Sequence, residues 1–157
     1  MNAETHDPMR RIQHILSEQP FFEEFEEDEL ACFANYLSLR TFDGQAVLFQ
    51  EGDMGDHLCL IVSGEVEVRL RGADRSQIII AKFGPGCSVG EMSIIDDAPR
   101  SATVVATGLS ELLLLSRKRF EAICEENPRA GLKFLRGLAR NLSTRLRKAN
   151  GRFADIA

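Results

Sequence analysis

Between Val89 and Val104 the chain reads VGEMSIIDDAPRSATV, and one acid, Glu91, stands nine positions from one base, Arg100, among small and apolar residues. These two residue types can divide the recognition of a small molecule between them. A guanidinium donates two parallel hydrogen bonds to a phosphate, and a carboxylate accepts from hydroxyls. Gly90 lets the backbone turn tightly or approach a ligand closely. GEMSII is long enough for one or two helical turns, whose first amides lack internal partners and suit an anion. Ala98 precedes proline and is driven to an extended conformation, and Pro99 fixes its own φ. Arg100 therefore enters the next strand with a restricted direction. A carboxylate repels phosphate, so Glu91 makes sense if the ligand also offers hydroxyls, as a ribose 2′-OH beside a phosphodiester does. The spacing alone leaves a plain Glu91–Arg100 salt bridge equally open.

Three zones position this stretch. Residues 1–36 read as helical: Ile12, Ile15 and Leu16 recur at helical spacing, Pro20 interrupts, and FFEEFEEDELACFANYL follows. The acids from Glu23 to Glu29 suit the positive end of a helix dipole and read as a solvated helix start. Residues 37–116 change character. Turn signals such as Asp43-Gly44, Ser63-Gly64 and Gly84-Pro85-Gly86 separate short β-rich runs. Val66, Val68 and Leu70 alternate with charged residues as in a half-buried strand, while LCLIV, IIIAKF, TVVAT and LLLL are apolar runs of strand length. Regularly spaced strands of this kind predict a β-sandwich or jelly-roll-like barrel. Residues 117–157 return to helix. Ser116 can cap RKRFEAICEE, and Asn127-Pro128 can start a second, long helix. Along that helix Leu132, Leu135, Ala139, Leu142, Leu146, Ala149 and Phe153 repeat at gaps of three and four, which is a coiled-coil seam that predicts pairing with another helix. Arg129, Lys133, Arg136, Arg140 and Arg147 run beside it and read as its exposed side.

Composition narrows the function classes. The chain has 157 residues, 44% apolar and 27% charged, as in an ordinary globular domain with a full-sized core. No apolar run approaches the roughly 20 residues of a membrane span, and the start lacks the apolar block of a secretion signal. The expected compartment is the cytoplasm, where Cys32, Cys59, Cys87 and Cys124, none in a C-x-x-C pair, act as small hydrophobes. Residues 1–116 carry 8 basic and 20 acidic side chains, a balance of −12, whereas residues 117–157 carry 11 and 4, a balance of +7. Such a basic tail can mean nucleic acid or an anionic membrane, but a DNA-reading role needs a docking motif, and none follows the long helix. Nucleic acid and membrane are thus not the expected partners. Nor is an enzyme expected: His6, His14 and His57 show no metal-ligand spacing, and the chain has no G-x-S-x-G, H-E-x-x-H or Walker A loop.

The stretch from Val89 to Val104 closely resembles the phosphate-binding cassette of cyclic nucleotide-binding domains, found in catabolite activator proteins, protein kinase A regulatory subunits and cyclic-nucleotide-gated channels. FQEGDMGDHLCLIVSGEVEV resembles the family's earlier strand pair. The family's three glycines, glutamate, arginine and alanine fall on Gly52, Gly64, Gly90, Glu91, Arg100 and Ala102. The likeness covers about residues 20–150.

That resemblance implies a mainly β fold: an eight-stranded β-roll, jelly-roll-like, with N-terminal helices and a C-terminal lid helix. It implies that Glu91 accepts from the ribose 2′-OH, that Arg100 holds the cyclic phosphate, that amides of Gly90, Met92, Ser93 and Ala102 cradle the ligand, and that Val89 borders the base. Ser101 stands where a hydroxyl can reach phosphate or a guanine. The ligand expected on this basis is cyclic AMP, with cyclic GMP as the alternative. Phe134, Leu135 or Leu138 stand in for the aromatic lid over the base. The function expected is a regulatory sensor that signals through its last helix, to a second copy or to a partner protein. The alternative is an interaction module of the same fold that binds no nucleotide or a cyclic dinucleotide.

Overall fold

The computed structural model describes residues 7–156, with side chains as far as Arg152. Phe153 of the seam and His6 fall outside the described side chains. Helix α1 (Pro8–Glu18) starts where the Asp7 side chain accepts from the Met9 amide at 3.0 Å, with proline at the first helical position. It buries Ile12 and Leu16. A 3-10 turn at Pro20–Phe22 leads to α2 (Glu27–Ala34), whose start is a capping box in which the Glu26 amide donates to Glu29 at 3.0 Å.

Eight strands follow: β1 (Ser38–Phe42), β2 (Val47–Phe49), β3 (His57–Ser63), β4 (Val66–Arg71), β5 (Gln77–Phe83), β6 (Ser88–Val89), β7 (Thr103–Ala106) and β8 (Ser110–Ser116). They form two four-stranded antiparallel sheets, ordered β1-β8-β3-β6 and β2-β7-β4-β5. One-turn helix α3 (Met92–Ile95) lies between β6 and β7. Helices α4 (Arg117–Glu126) and α5 (Pro128–Ile156) close the chain, capped by Ser116 Oγ on the Arg119 amide and by Asn127 on the Ala130 amide. The β-roll with flanking helices is the architecture the resemblance implied.

Strands β3 and β8 are central to their sheet and buried on both faces, which explains why LCLI and LLLL are continuous apolar runs and not alternating ones. One face of each strand, Cys59, Ile61 and Leu112, meets Phe49, Val66, Val89 and Val104 inside the roll. The other face, Leu58, Leu60, Leu113 and Leu115, packs on the helices. There Phe22, Phe25, Phe33, Phe120 and Phe134 form an aromatic cluster, with Phe33 stacked on Phe134 at 5.0 Å.

Helix α5 packs through Ala130, Phe134 and Leu138, while Leu132, Leu135 and Leu146 of the seam stay 57%, 40% and 63% exposed and so are left uncovered by the chain's own fold; Leu142 alone of the seam leucines turns to the roll. Of the basic row, Arg129, Arg136, Arg140 and Arg147 are exposed as expected, Arg140 pairing with Glu24 at 2.8 Å at the surface; Lys133 alone departs, turned inward to pair with Glu29. Glu29 itself, read as part of a solvated helix start, is 5% exposed. The reason is that the capping box turns this carboxylate inward, where a lysine from α5 neutralises it.

Burial alone would raise the Glu29 carboxyl. Hydrogen bonds from Lys133 and the Glu26 amide, with the charges of Lys133 and Arg129, outweigh it and hold the group below its ordinary value of 4.5. A folded-state value below the unfolded one stabilises the fold at neutral pH. That contribution disappears as pH falls below the ordinary value and through the lowered one. Lys133→Met is expected to cost about 1.5–3 kcal/mol at pH 7, lowering Tm by about 2–4 °C per kcal/mol. The gap to the unaltered protein should narrow on acidification, as urea titrations at pH 7 and pH 3 would show.

Candidate functional site

Strand β6, α3, the loop after it and the start of β7 wall a cavity of about 260 Å³ inside one end of the roll. All eight sequence-derived residues line it: Val89, Gly90, Glu91, Met92, Ser93, Arg100, Ser101 and Ala102. Val68, Phe83 and Val104 supply apolar wall from the facing sheet, and Leu142 and Arg145 reach it from α5.

Arg100 is 8% exposed. Its guanidinium lies 3.6 Å over the Phe49 ring, and it donates to Ser93 Oγ at 2.6 Å, to the His57 carbonyl at 2.8 Å and to the Gly90 carbonyl at 3.4 Å. This fit depends on two missing Cβ atoms. Gly90 has φ +80°, and a Cβ there would lie 2.7 Å from Arg100 Nη1; one on Gly55 would lie 2.0 Å from Arg100 Nε. Every one of these partners is neutral, and no carboxylate pairs with Arg100 among the described residues. Burial lowers the guanidinium's pKa, and Cys59 and Asp56 oppose that shift. Neither is an effective counter-ion. Burial pushes the Cys59 thiol up to about 12, so it is uncharged at neutral pH. The Asp56 side chain is 83% exposed and turned to His57 at 3.1 Å.

Glu91 is 6% exposed and does not pair with Arg100. Its Oε1 accepts from Ser88 Oγ at 2.7 Å and from Arg145 Nη1 at 2.6 Å; its Oε2 takes part in neither bond. Arg145 also donates to the Ser88 carbonyl and lies 4.2 Å over the Phe83 ring. One helical turn earlier, Asn141 donates to Ser88 Oγ at 2.8 Å. The acid and the base are therefore held apart on one cavity, each by its own partners. The plain salt bridge that spacing left open is not formed.

GEMSII makes a single helical turn, within the one or two expected, and Asp96 behind it is already extended. Two expectations change here. The Ser93 amide, expected to face an anion, donates to the Gly90 carbonyl at 3.2 Å, and Ser93 contributes its hydroxyl instead. The lid is different too. Phe134 and Leu138 are sealed in the helical core and Leu135 is exposed, so none of the three reaches the cavity. Leu142 and Arg145 take that place. Sequence reasoning passed over Asn141 and Arg145, although both continue the buried spacing of Ala130, Phe134 and Leu138. Polar residues on a buried stripe are the signal that would have found them.

Residues 39–127 match the cyclic nucleotide-binding domain family. The chain is 31% identical over 147 residues to the CRP-like cAMP-activated global transcriptional regulator of Mycobacterium tuberculosis, covering 92% of this chain and 63% of that protein. It is 34% identical over 134 residues to the cyclic AMP receptor protein of Thermus thermophilus, covering 83% and 59%. The chain thus spans about three fifths of the length of these curated relatives. Among solved structures, a cyclic nucleotide-binding domain from Methylobacillus flagellatus KT superposes with a TM-score of 0.83 at 32% identity, over 95% of this chain and 84% of that one. A family match across more than half the chain, with likeness of this extent in sequence and in fold, makes this chain a member of the cyclic nucleotide-binding domain family.

Proposed function

We propose that the cavity binds a 3′,5′-cyclic nucleotide, cyclic AMP before cyclic GMP, and that the chain acts as a regulatory sensor through α5. One observation carries this reading: a buried arginine faces a cavity, and among the described residues no carboxylate pairs with it. A buried cation is costly unless an anion or good hydrogen bonds compensate it. A ligand phosphate supplies the missing charge, with Arg100 Nη groups as donors and Ser93 and Ser101 beside them. Glu91, through Oε2, accepts from the ribose hydroxyl. Val68, Val89, Phe83 and Leu142 give the base an apolar surface. The relatives whose names mention cyclic AMP support the choice of nucleotide. Ser101 does not discriminate strongly against cyclic GMP, which remains the alternative.

The link to α5 is Arg145. A hydroxyl arriving at Glu91 competes with or joins the Arg145 guanidinium, so the ligand and the helix position share one carboxylate. A ligand shifts such an equilibrium only through its different affinity for the two arrangements. The outer stripe of α5, Leu132, Leu135, Ala139 and Leu146, then serves as the face for a second copy, seam against seam. A second reading, a nucleotide-free interaction module, draws on the fact that Glu91 is already satisfied by Ser88 and Arg145.

Calorimetric titration with cyclic AMP separates the two. Binding is expected, with affinity reduced about tenfold or more in Arg100→Ala and in Glu91→Ala, because hydrogen bonds to charged groups contribute roughly 1.5–3 kcal/mol each. No heat and no rise in Tm with cyclic AMP or cyclic GMP would leave only the nucleotide-free module. The seam is tested by light scattering on the eluted protein. Leu132→Lys with Leu146→Lys should convert a dimer to a monomer that keeps its secondary structure by circular dichroism, since both side chains are exposed in the single chain, with Tm falling only by what dimerisation adds. An unaltered oligomeric state in that double variant would remove the seam from the account.

A further inference from the structure

Arg117 opens α4, yet a helix start is where a cation is least suited, because the free amides there already carry partial positive charge. The first turn of α4 has no acid and carries Arg117, Lys118 and Arg119. The Arg117 guanidinium is directed elsewhere. Its Nε donates to the Ser93 carbonyl at 2.7 Å, its Nη2 donates to the Asp96 carbonyl at 2.5 Å, and its Nη1 pairs with Asp97. These are the carbonyls at the end of α3, which a one-turn helix leaves without internal donors and which favour a cation. The Arg117 amide meanwhile donates to the Asp56 carbonyl at 2.6 Å, next to the His57 carbonyl that holds Arg100.

Ser93 thus sits between two guanidinium groups. Its carbonyl is held by Arg117, and its hydroxyl holds Arg100 at 2.6 Å. Arg117 grips both walls of the Arg100 slot: the loop entering β3 through its main chain, and the α3 turn through its side chain. We propose that Arg117 is a positioning residue for the anion side of the cavity, fixing the 93–97 turn so that Ser93 Oγ presents the Arg100 guanidinium to a ligand phosphate. The inference rests on the cyclic nucleotide reading for its consequence, but its structural half holds without any ligand. Replacing the three-pronged grip frees the α3 turn, lets Ser93 rotate and weakens binding through Arg100, while the Glu91–Arg145 side of the cavity keeps its contacts. Lysine cannot restore the grip, since an ammonium lacks the fixed fork of separate donors by which Arg117 reaches three acceptors.

Two measurements on the full chain test this. In ligand-free protein, hydrogen exchange of the amides of residues 92–97 should accelerate in Arg117→Gln and in Arg117→Lys, with no change in the β3 amides of residues 58–61. The lysine variant keeps the charge and guards against failure to fold. In titrations with cyclic AMP, either variant should bind roughly 2- to 150-fold more weakly, the range of coupling between residues in one hydrogen-bond network. The same change made on top of Arg100→Lys should cost less than about twofold, whereas on top of Arg145→Ala it should keep its full effect. Exchange at residues 92–97 equal to that of the unaltered protein would overturn the positioning role whether or not the nucleotide binds. An affinity loss that is undiminished in the Arg100→Lys background would show that Arg117 acts by some other route. If the unaltered protein ignores cyclic AMP, the function reading fails by itself, and the exchange experiment still decides on Arg117.

Discussion

The guanidinium of Arg100 is the constraint around which this domain is built. A charge removed from water must be repaid by dipoles, by a counter-ion or by both. Here the protein supplies dipoles and an aromatic face: two carbonyls, one hydroxyl and the Phe49 ring. It withholds the counter-ion. The nearest candidates are a thiol that burial keeps protonated and a carboxylate that faces solvent. Among the described residues, the acid buried on the same cavity is Glu91, and it is turned to α5 and held there by Arg145. A site arranged in this way is incomplete in charge on one side and rich in acceptor on the other. That asymmetry matches a ligand that is itself an anion at one end and an alcohol at the other.

The rest of the fold serves to keep that arrangement rigid. Buried on both faces, β3 and β8 join the core of the roll to the helical core. The His57 carbonyl that holds Arg100 lies at the start of β3, and Arg117 follows the last residue of β8. Both are anchored in the best-packed part of the molecule. Helix α5 is fixed differently along its length. Its first half is locked by Phe134, Leu138 and the ion pairs to Glu29 and Glu24. Its second half touches the roll through Asn141, Leu142 and Arg145, all at or beside the cavity. The part of the helix that meets the cavity is therefore the part without the core contacts and ion pairs that lock its first half.

Much of this was legible in the sequence, for reasons that can be stated. Glycines at Gly52, Gly64 and Gly90 all take positive φ, so their order carried backbone information that few other residues could encode. The runs LCLIV and LLLL were legible as strands because turn residues bounded them. Their burial on both faces was not, since periodicity cannot tell a doubly buried strand from a buried helix. The cavity wall from Val89 to Ala102 was legible because it is nearly continuous in the chain. Arg145 and Asn141 were not, because they stand 54 and 53 residues from the Glu91 and Ser88 they meet, nor were Phe49 and Phe83, which reach the cavity from β2 and β5 on the facing sheet. The seam on α5 was legible as a face, and most of its leucines stay uncovered in the single chain. Which neighbouring stripe packs inward, Ala130, Phe134 and Leu138, was not legible, because only tertiary packing decides it.

A crystal structure of the protein grown with cyclic AMP tests the central claim most directly. It should show the cyclic phosphate about 3 Å from the Arg100 guanidinium and the ribose 2′-hydroxyl at a similar distance from Glu91, with Arg145 shifted relative to its present contact. A nucleotide bound elsewhere, or one seated in the cavity with its phosphate turned away from Arg100, would contradict it.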